Sequence, residues 1–415
     1  MPRCQADPSI QRVKMDDTQF PLGVYPVEPM HPKQGYSVLF EAADGDEEAG
    51  TWEAWPDRYV FDVVVTAERL PALCRALFGL LPLRIYPILD VIGHDAYREI
   101  DPYISWDLLG LDRFFEALIR YHDFFFEEGM TGFGAMLDDP FLYVFVDEHK
   151  IVTIRAEPEY QARIERVLAA FDLEPMDEPA GADAASHEHR SVLLAPEDHP
   201  DLLSTEEVVE ALRDEWRLSL NVEPDNNVDE DGRELGVTAW RCLVRVTGQG
   251  GSPAPADAAG GTRPQEDRAR YAEVLLYASC LTEAEQSAYE AAALELDRIQ
   301  PSRSQPAEEH GEGSKSAAPA TTEITEKDPP VTSGSAGPAV GDAESQPAAD
   351  ASPTFEFAED EGPLLVIVSA DRMTQDQFGD ALRPTHSGPR PAPAGPTLQS
   401  PPEPEAGLVC RVRWL

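Results

Sequence analysis

The sequence predicts an α+β protein of two mixed-sheet modules, with a long disordered insert inside the second; the alternative is one larger α/β sheet spanning both. Three observations lead there. Short apolar runs rich in β-branched residues alternate with stretches of helical periodicity. They do so without a regular βαβ repeat, and one pair of runs flanks a short polar turn, which makes it an antiparallel hairpin. Residues 297–361 are dominated by Pro, Ser, Ala, Gly, Glu and Thr with almost no aromatics, the composition of disorder. A chain of 415 residues has room for two domains with cores of their own.

Residues 1–55 read as a loosely ordered lead-in, rich in Pro, Gly and acid, with one strand near Tyr36–Phe40. The first module follows over 56–178. Tyr59–Val65 alternates and is Val-rich, so it is a strand. Leu70, Leu73, Cys74 and Leu77 recur at helical spacing and predict an amphipathic helix over 67–81, stopped by Pro82. Leu83–Ile92 is a second strand, in which Pro87 suggests an edge or a bulge. Residues 93–109 read as a polar loop. Leu111, Phe115, Leu118, His122 and Phe125 share one helical face, and Gly129 is a plausible cap. Phe141–Val146 and Ile151–Ala156 form a hairpin around Asp147, Glu148, His149 and Lys150. Pro158 opens a helix whose stripe is Tyr160, Ile164, Val167, Leu168 and Phe171.

Residues 179–190 are a linker, and 191–296 with 362–415 make the second module. Ser204 with Glu207, and Thr282 with Glu285, have the spacing of capping boxes. Strands are expected over 218–222, 237–246, 271–280, 364–369 and 408–415, and a helix over 373–382. A long insert adds little to the free energy of loop closure, which grows only logarithmically with length.

Composition narrows the function. Acidic residues number 77 against 33 basic, a net charge of −44. Such a chain repels phosphate backbones and anionic lipid, and no basic cluster along the sequence reverses the field, so neither nucleic acid nor membrane is expected as a partner. Cys4, Cys74, Cys242, Cys280 and Cys410 are odd in number and hold no CxxC pair. That is neither a disulfide framework nor a zinc signature, and a cytoplasmic protein with reduced thiols is expected. Leu70–Ile92 is the most apolar stretch, but Arg75, Pro82, Arg84 and Pro87 interrupt it. The N-terminus lacks the basic-then-apolar pattern of a signal peptide.

Several places are candidates for chemistry. In the 93–107 loop, His94 with Asp95 would supply a base and its acid, and Arg98 would hold an anion. The bland reading is a surface loop pinned by Tyr103 and Trp106. Asn227, Asp229 and Asp231 alternate before Gly232 like the first half of a calcium loop. Thr238 stands where such a loop needs a bidentate Glu, and an acidic hairpin loop explains the residues equally well. His187 and His189 flank Glu188, and histidines at i, i+2 of an extended chain can share a metal, although the sequence names no third ligand. Cys280 precedes a helix start but ends an apolar strand run, where an inert buried thiol is commoner. Gly129, Gly132 and Gly134 lack the GK[ST] of a phosphate loop and read as a cap and a turn. No cofactor is expected; calcium at the 225–232 loop is the alternative. The leading functional reading is a non-catalytic protein-binding or scaffold protein. The alternatives are a hydrolase-like enzyme using the 93–107 loop, and an acidic nucleic-acid mimic that binds a basic protein.

Overall fold

A computed structural model describes residues 3–43, 55–194, 199, 201–229, 231–247, 270–299, 364–383 and 405–415. The expected disordered insert lies outside the described residues, apart from 297–299, which end a helix. The architecture is α+β, with two main antiparallel sheets. No described helix is long and apolar enough to cross a membrane.

The N-terminal segment holds a small hairpin, β1 (Lys14–Met15) with β2 (Thr18–Gln19), and the short strand β3 (Val24–Pro26). β4 (Gly35–Glu41) then forms one edge of the large sheet, beside β5 (Arg58–Val64). Helix α1 (Leu70–Phe78) buries Leu70, Leu73, Cys74 and Leu77, as the periodicity requires. Next come β6 (Arg84–Ile92), β7 (Ile100–Ile104), β8 (Leu109–Gly110), and helices α2 (Leu111–Arg120) and α3 (His122–Phe126). β9 (Thr131–Asp138), β10 (Phe141–Val146) and β11 (Val152–Ala156) are consecutive antiparallel strands, followed by α4 (Gln161–Ala170). β12 (His187–His189) pairs with β3. α5 (Thr205–Trp216) leads to β13 (Ser219–Leu220), which pairs with β7 and closes the far edge of the large sheet.

Three sequence expectations are corrected here. Pro87 is neither at an edge nor in a bulge. It lies inside β6, opposite Ala135 of β9. On the other side β8 pairs only through Ile85 and β7 only from Ile88, so the residue without an N–H falls where the neighbouring strand is interrupted. The 93–109 stretch is not all loop, because 100–104 form β7. Asp101 and Tyr103 are the buried members of that alternation, and a polar inward residue hid it. Gly132 and Gly134 belong to strand β9 rather than a turn. A Cβ on Gly134 would meet the Val144 carbonyl at 2.5 Å, and one on Gly132 the Phe145 ring at 2.8 Å.

The first core lies on one face of this sheet, where Phe61, Ile154, Val144 and Ala135 stand opposed across neighbouring strands. Phe78, Phe114, Phe124, Phe125 and Phe133 are buried with Trp216, whose ring stacks on Phe125 at 5.8 Å. α5 therefore packs on the first core although it follows the linker. Its capping box forms as the spacing predicts, with Ser204 and Glu207 bonded reciprocally.

The second sheet has the order β16-β14-β15-β17. β14 (Thr238–Thr247) and β15 (Arg270–Ala278) are central, and α6 (Leu281–Ile299) follows β15. β16 (Leu364–Met373) pairs with β14, α7 (Gln375–Leu382) begins at a Thr374–Gln377 capping box, and β17 (Val409–Trp414) pairs with β15. α6 buries Ala284, Ala288 and Ala292 on one face of this sheet, and small side chains let the helix lie close. Phe378 of α7 packs on Ala239, Leu275 and Tyr277, which belong to the other face.

Candidate metal centre

The turn between β10 and β11 is tied tightly to its own backbone. Asp147 Oδ1 accepts from Ile151 N at 2.7 Å, Lys150 N donates to the Asp147 carbonyl at 3.1 Å, and Lys150 is left-handed at φ 65°. This fixes His149 at the tip. In β12 the extended backbone sends His187 and His189 to one side and Glu188 to the other. The three imidazoles then meet. His149 Nε2 lies 3.0 Å from His187 Nε2, which lies 3.2 Å from His189 Nε2.

The outer ring nitrogens explain this close approach. His187 Nδ1 donates to the Ala185 carbonyl and His189 Nδ1 to the Gly129 carbonyl, each at 2.8 Å. A carbonyl only accepts, so both Nδ1 atoms carry a proton, and in the neutral ring the Nε2 atom then presents its lone pair. His149 Nδ1 faces Asp147 Oδ2 at 3.3 Å and Glu148 Oε1 at 3.4 Å, which places its proton there too. With neutral rings, three lone pairs converge within 4.8 Å of one another, two of the contacts at 3.0 and 3.2 Å, and they repel. A proton on His149 Nε2 would satisfy its contact with His187 and leave the 3.2 Å His187–His189 contact unrelieved. A single cation satisfies all three. Tetrahedral bonds of about 2.0–2.1 Å to zinc place ligand nitrogens roughly 3.3 Å apart, close to the 3.0 and 3.2 Å of the two contacts through His187.

The electrostatics suit a cation. Burial and the other two histidines hold His189 down to about 4, so it is neutral and free to ligate. At His149, burial acts downward but the Asp147 hydrogen bond and the charges of Asp147, Glu148 and Asp183 outweigh it, and the net shift is upward. Those carboxylates would offset the charge of a bound ion. Behind the centre, Lys150 is fully enclosed with its ammonium on the Thr131 carbonyl, and burial lowers it to about 8. Glu128 is buried too; its Oε2 accepts from Val192 N at 2.9 Å, and desolvation raises its carboxyl.

The other sequence candidates lie elsewhere. Asp95 and Arg98 come together, 3.8 Å apart, but Asp95 is occupied by Arg372 and Arg98 by Asp101 at 2.6 Å, while His94 is exposed. Asn227 accepts from Arg372 Nη1 at 3.1 Å and donates to Gly236 O and Thr238 Oγ1. Asp229 caps its own loop through Asp231 N and Arg233 N, and Asp231 pairs with Arg233 at 3.1 Å. The acidic loop is thus held by arginines and backbone. Cys280 is half-buried, and all five cysteines are free thiols. His122 turns out to solvent beside Asp123, because the helix breaks at Tyr121. His149, the third member of the centre, was missed. It stands 38 residues from His187, and the signal for it was a histidine in a tight hairpin turn among acids.

Comparison of the chain with protein-family models, with curated proteins and with solved structures finds no match. The class this site supports therefore rests on its own geometry.

Proposed function

We propose that this chain is a metalloprotein that holds one divalent transition-metal ion, zinc foremost, on the Nε2 atoms of His149, His187 and His189. The observation that carries the reading is the convergence of three imidazole nitrogens whose outer nitrogens are anchored by Ala185, Gly129 and Asp147. Anchoring of the distal N–H is what fixes the tautomer and orientation of metal-binding histidines. An all-nitrogen donor set selects zinc and its neighbours over calcium, which takes oxygen ligands. Among the described residues no fourth His, Cys, Asp or Glu joins the group. Three protein ligands leave a fourth position for water or an exogenous group, the arrangement of centres that activate water. The reaction class this supports is metal-assisted attack of water on an electrophilic carbonyl or phosphoryl centre.

Metal analysis of the purified chain tests the reading. One equivalent of zinc, lost in His187→Ala and His189→Ala, is expected. Cobalt(II) replacing it should show the intense visible absorption of four-coordinate cobalt. A chain that takes up no stoichiometric metal from zinc-containing buffer overturns it.

A further inference from the structure

The second sheet carries a charge anomaly that does not depend on the metal centre. Opposed residues of antiparallel strands share a face, and so do residues two apart. Glu273 of β15 and Arg413 of β17 are opposed, as are Leu275 with both Arg411 and Arg241. These side chains therefore lie on the face that Phe378 covers in part, beyond the reach of that ring. Glu273 is 4% exposed and receives three guanidinium groups: Arg241 Nε at 2.9 Å on Oε1, and Arg411 Nη2 at 3.1 Å and Arg413 Nη2 at 2.9 Å on Oε2. Arginine does not deprotonate in proteins. Three positive charges against the one on Glu273 leave a surplus, which the buried Asp371 opposed to Arg241 on β16 offsets only in part, on a chain whose net charge is −44.

One arginine would neutralise Glu273. The other two remain partly open: the Arg241 and Arg413 side chains keep 41% and 40% of their surface exposed. The Nε–H groups of Arg411 and Arg413 are buried with no acceptor among the described residues. Glu273 gathers the three guanidinium groups on one patch and limits their splaying.

We propose that Arg241, Arg411 and Arg413 form a binding site for a phosphate group. A phosphate monoester carries about −1.5 to −2 at neutral pH and three acceptor oxygens, which three guanidinium groups can share, whereas a carboxylate offers a single charge and two oxygens. Guanidinium forks bind phosphate oxygens in pairs, with direction as well as charge. The phosphate comes either from a free small compound or from a phosphorylated side chain of another protein.

Calorimetric titration of the full chain at constant ionic strength, with inorganic phosphate and with a phosphoserine peptide, tests the site. The same titrations on His187→Ala exclude phosphate bound at the metal. Saturable binding is expected in both chains, weakened about tenfold in Arg241→Ala and in Arg413→Ala, each a loss of one charge-assisted contact. Both positions are partly exposed, and melting temperatures establish that the variants fold. Equal binding of the two probes assigns a free phosphate compound; binding of the peptide alone assigns a phosphorylated partner. No saturable binding of either probe overturns the site, as does binding that both substitutions leave unchanged.

Discussion

Asp95 and Arg372, 277 residues apart in sequence, form a forked ion pair between the two sheets. Arg372 Nε and Nη2 both lie 2.9 Å from Asp95 Oδ1, and the Arg372 backbone N–H donates to Oδ2 at 2.9 Å. The side chains are 0% and 5% exposed. The remaining Nη1 reaches Asn227 and the Val228 carbonyl, so all three guanidinium nitrogens are engaged. Asp95→Ala would leave this cation buried without its anion. The expected loss of stability is about 3–5 kcal/mol by urea unfolding. Asp95→Ala combined with Arg372→Met should recover a large part of it, because a pair replaced by apolar groups carries no uncompensated charge. A loss under about 1 kcal/mol for Asp95→Ala would show that the pair does not hold the sheets together.

This pair also explains which parts of the protein were legible in sequence. The α+β class, α1, the β10–β11 hairpin and the cap of α5 each depend on residues within one element, and periodicity or spacing reveals them. Asp95 reads equally well as the acid partner of His94, and only the arrival of β16 shows that its oxygens belong to Arg372. The histidine centre divides the same way. His187 and His189 share a side by strand geometry, whereas His149 joins them only because β12 lies against β3 near the hairpin tip. The arginines around Glu273 come from two strands, Arg241 from β14 and Arg411 and Arg413 from β17, which the sequence holds far apart. Pairings between distant segments are where a single sequence offers least.

Gly129 positions His189 through its carbonyl, and it can do so because Gly23 crosses it at close quarters. A Cβ on Gly129 would lie 2.0 Å from the Gly23 carbonyl oxygen, and one on Gly23 would lie 2.0 Å from Gly129 N. No side chain at either position fits without moving the backbone that anchors His189 Nδ1. Gly129→Ala is therefore expected to weaken zinc binding by roughly 10–100-fold, the range for disturbing an outer anchor of a metal-binding histidine. Competition with a zinc indicator dye measures it. Unchanged affinity in a folded Gly129→Ala protein would show that the anchor is dispensable.

Metal removal should loosen the N-terminal layer. His149 belongs to the large sheet's hairpin, while His187 and His189 belong to the β3–β12 ribbon, so a bound ion ties one to the other. A ligand that binds only the folded state stabilises it by about 2.7 kcal/mol at a hundredfold excess over its Kd. Chelation is expected to lower the melting temperature by several degrees, and to speed amide exchange in 24–26 and 187–189 more than in β14 or β15. Exchange that accelerates uniformly, or not at all, would place the ion elsewhere.

Asp371, next to Arg372 and 6% exposed, gives the fold a defined response to pH. Burial pushes its carboxyl up to about 6, and the charges of Asp101 and Asp95 add to this while Ser369 and His94 oppose it. The folded state thus favours the protonated form more than the unfolded chain does. The associated stability is complete below the ordinary carboxyl value of 3.8 and is lost as pH rises through about 6. At pH 8 the ionised group opposes folding by about 3 kcal/mol. Asp371→Asn keeps the shape and removes the charge. The variant should unfold at higher urea than the parent at pH 8, with the difference shrinking through pH 6 and gone by pH 4. A gain that is constant with pH would trace the effect to packing, and a loss at pH 8 would mean that the ionised carboxylate is held by a favourable partner.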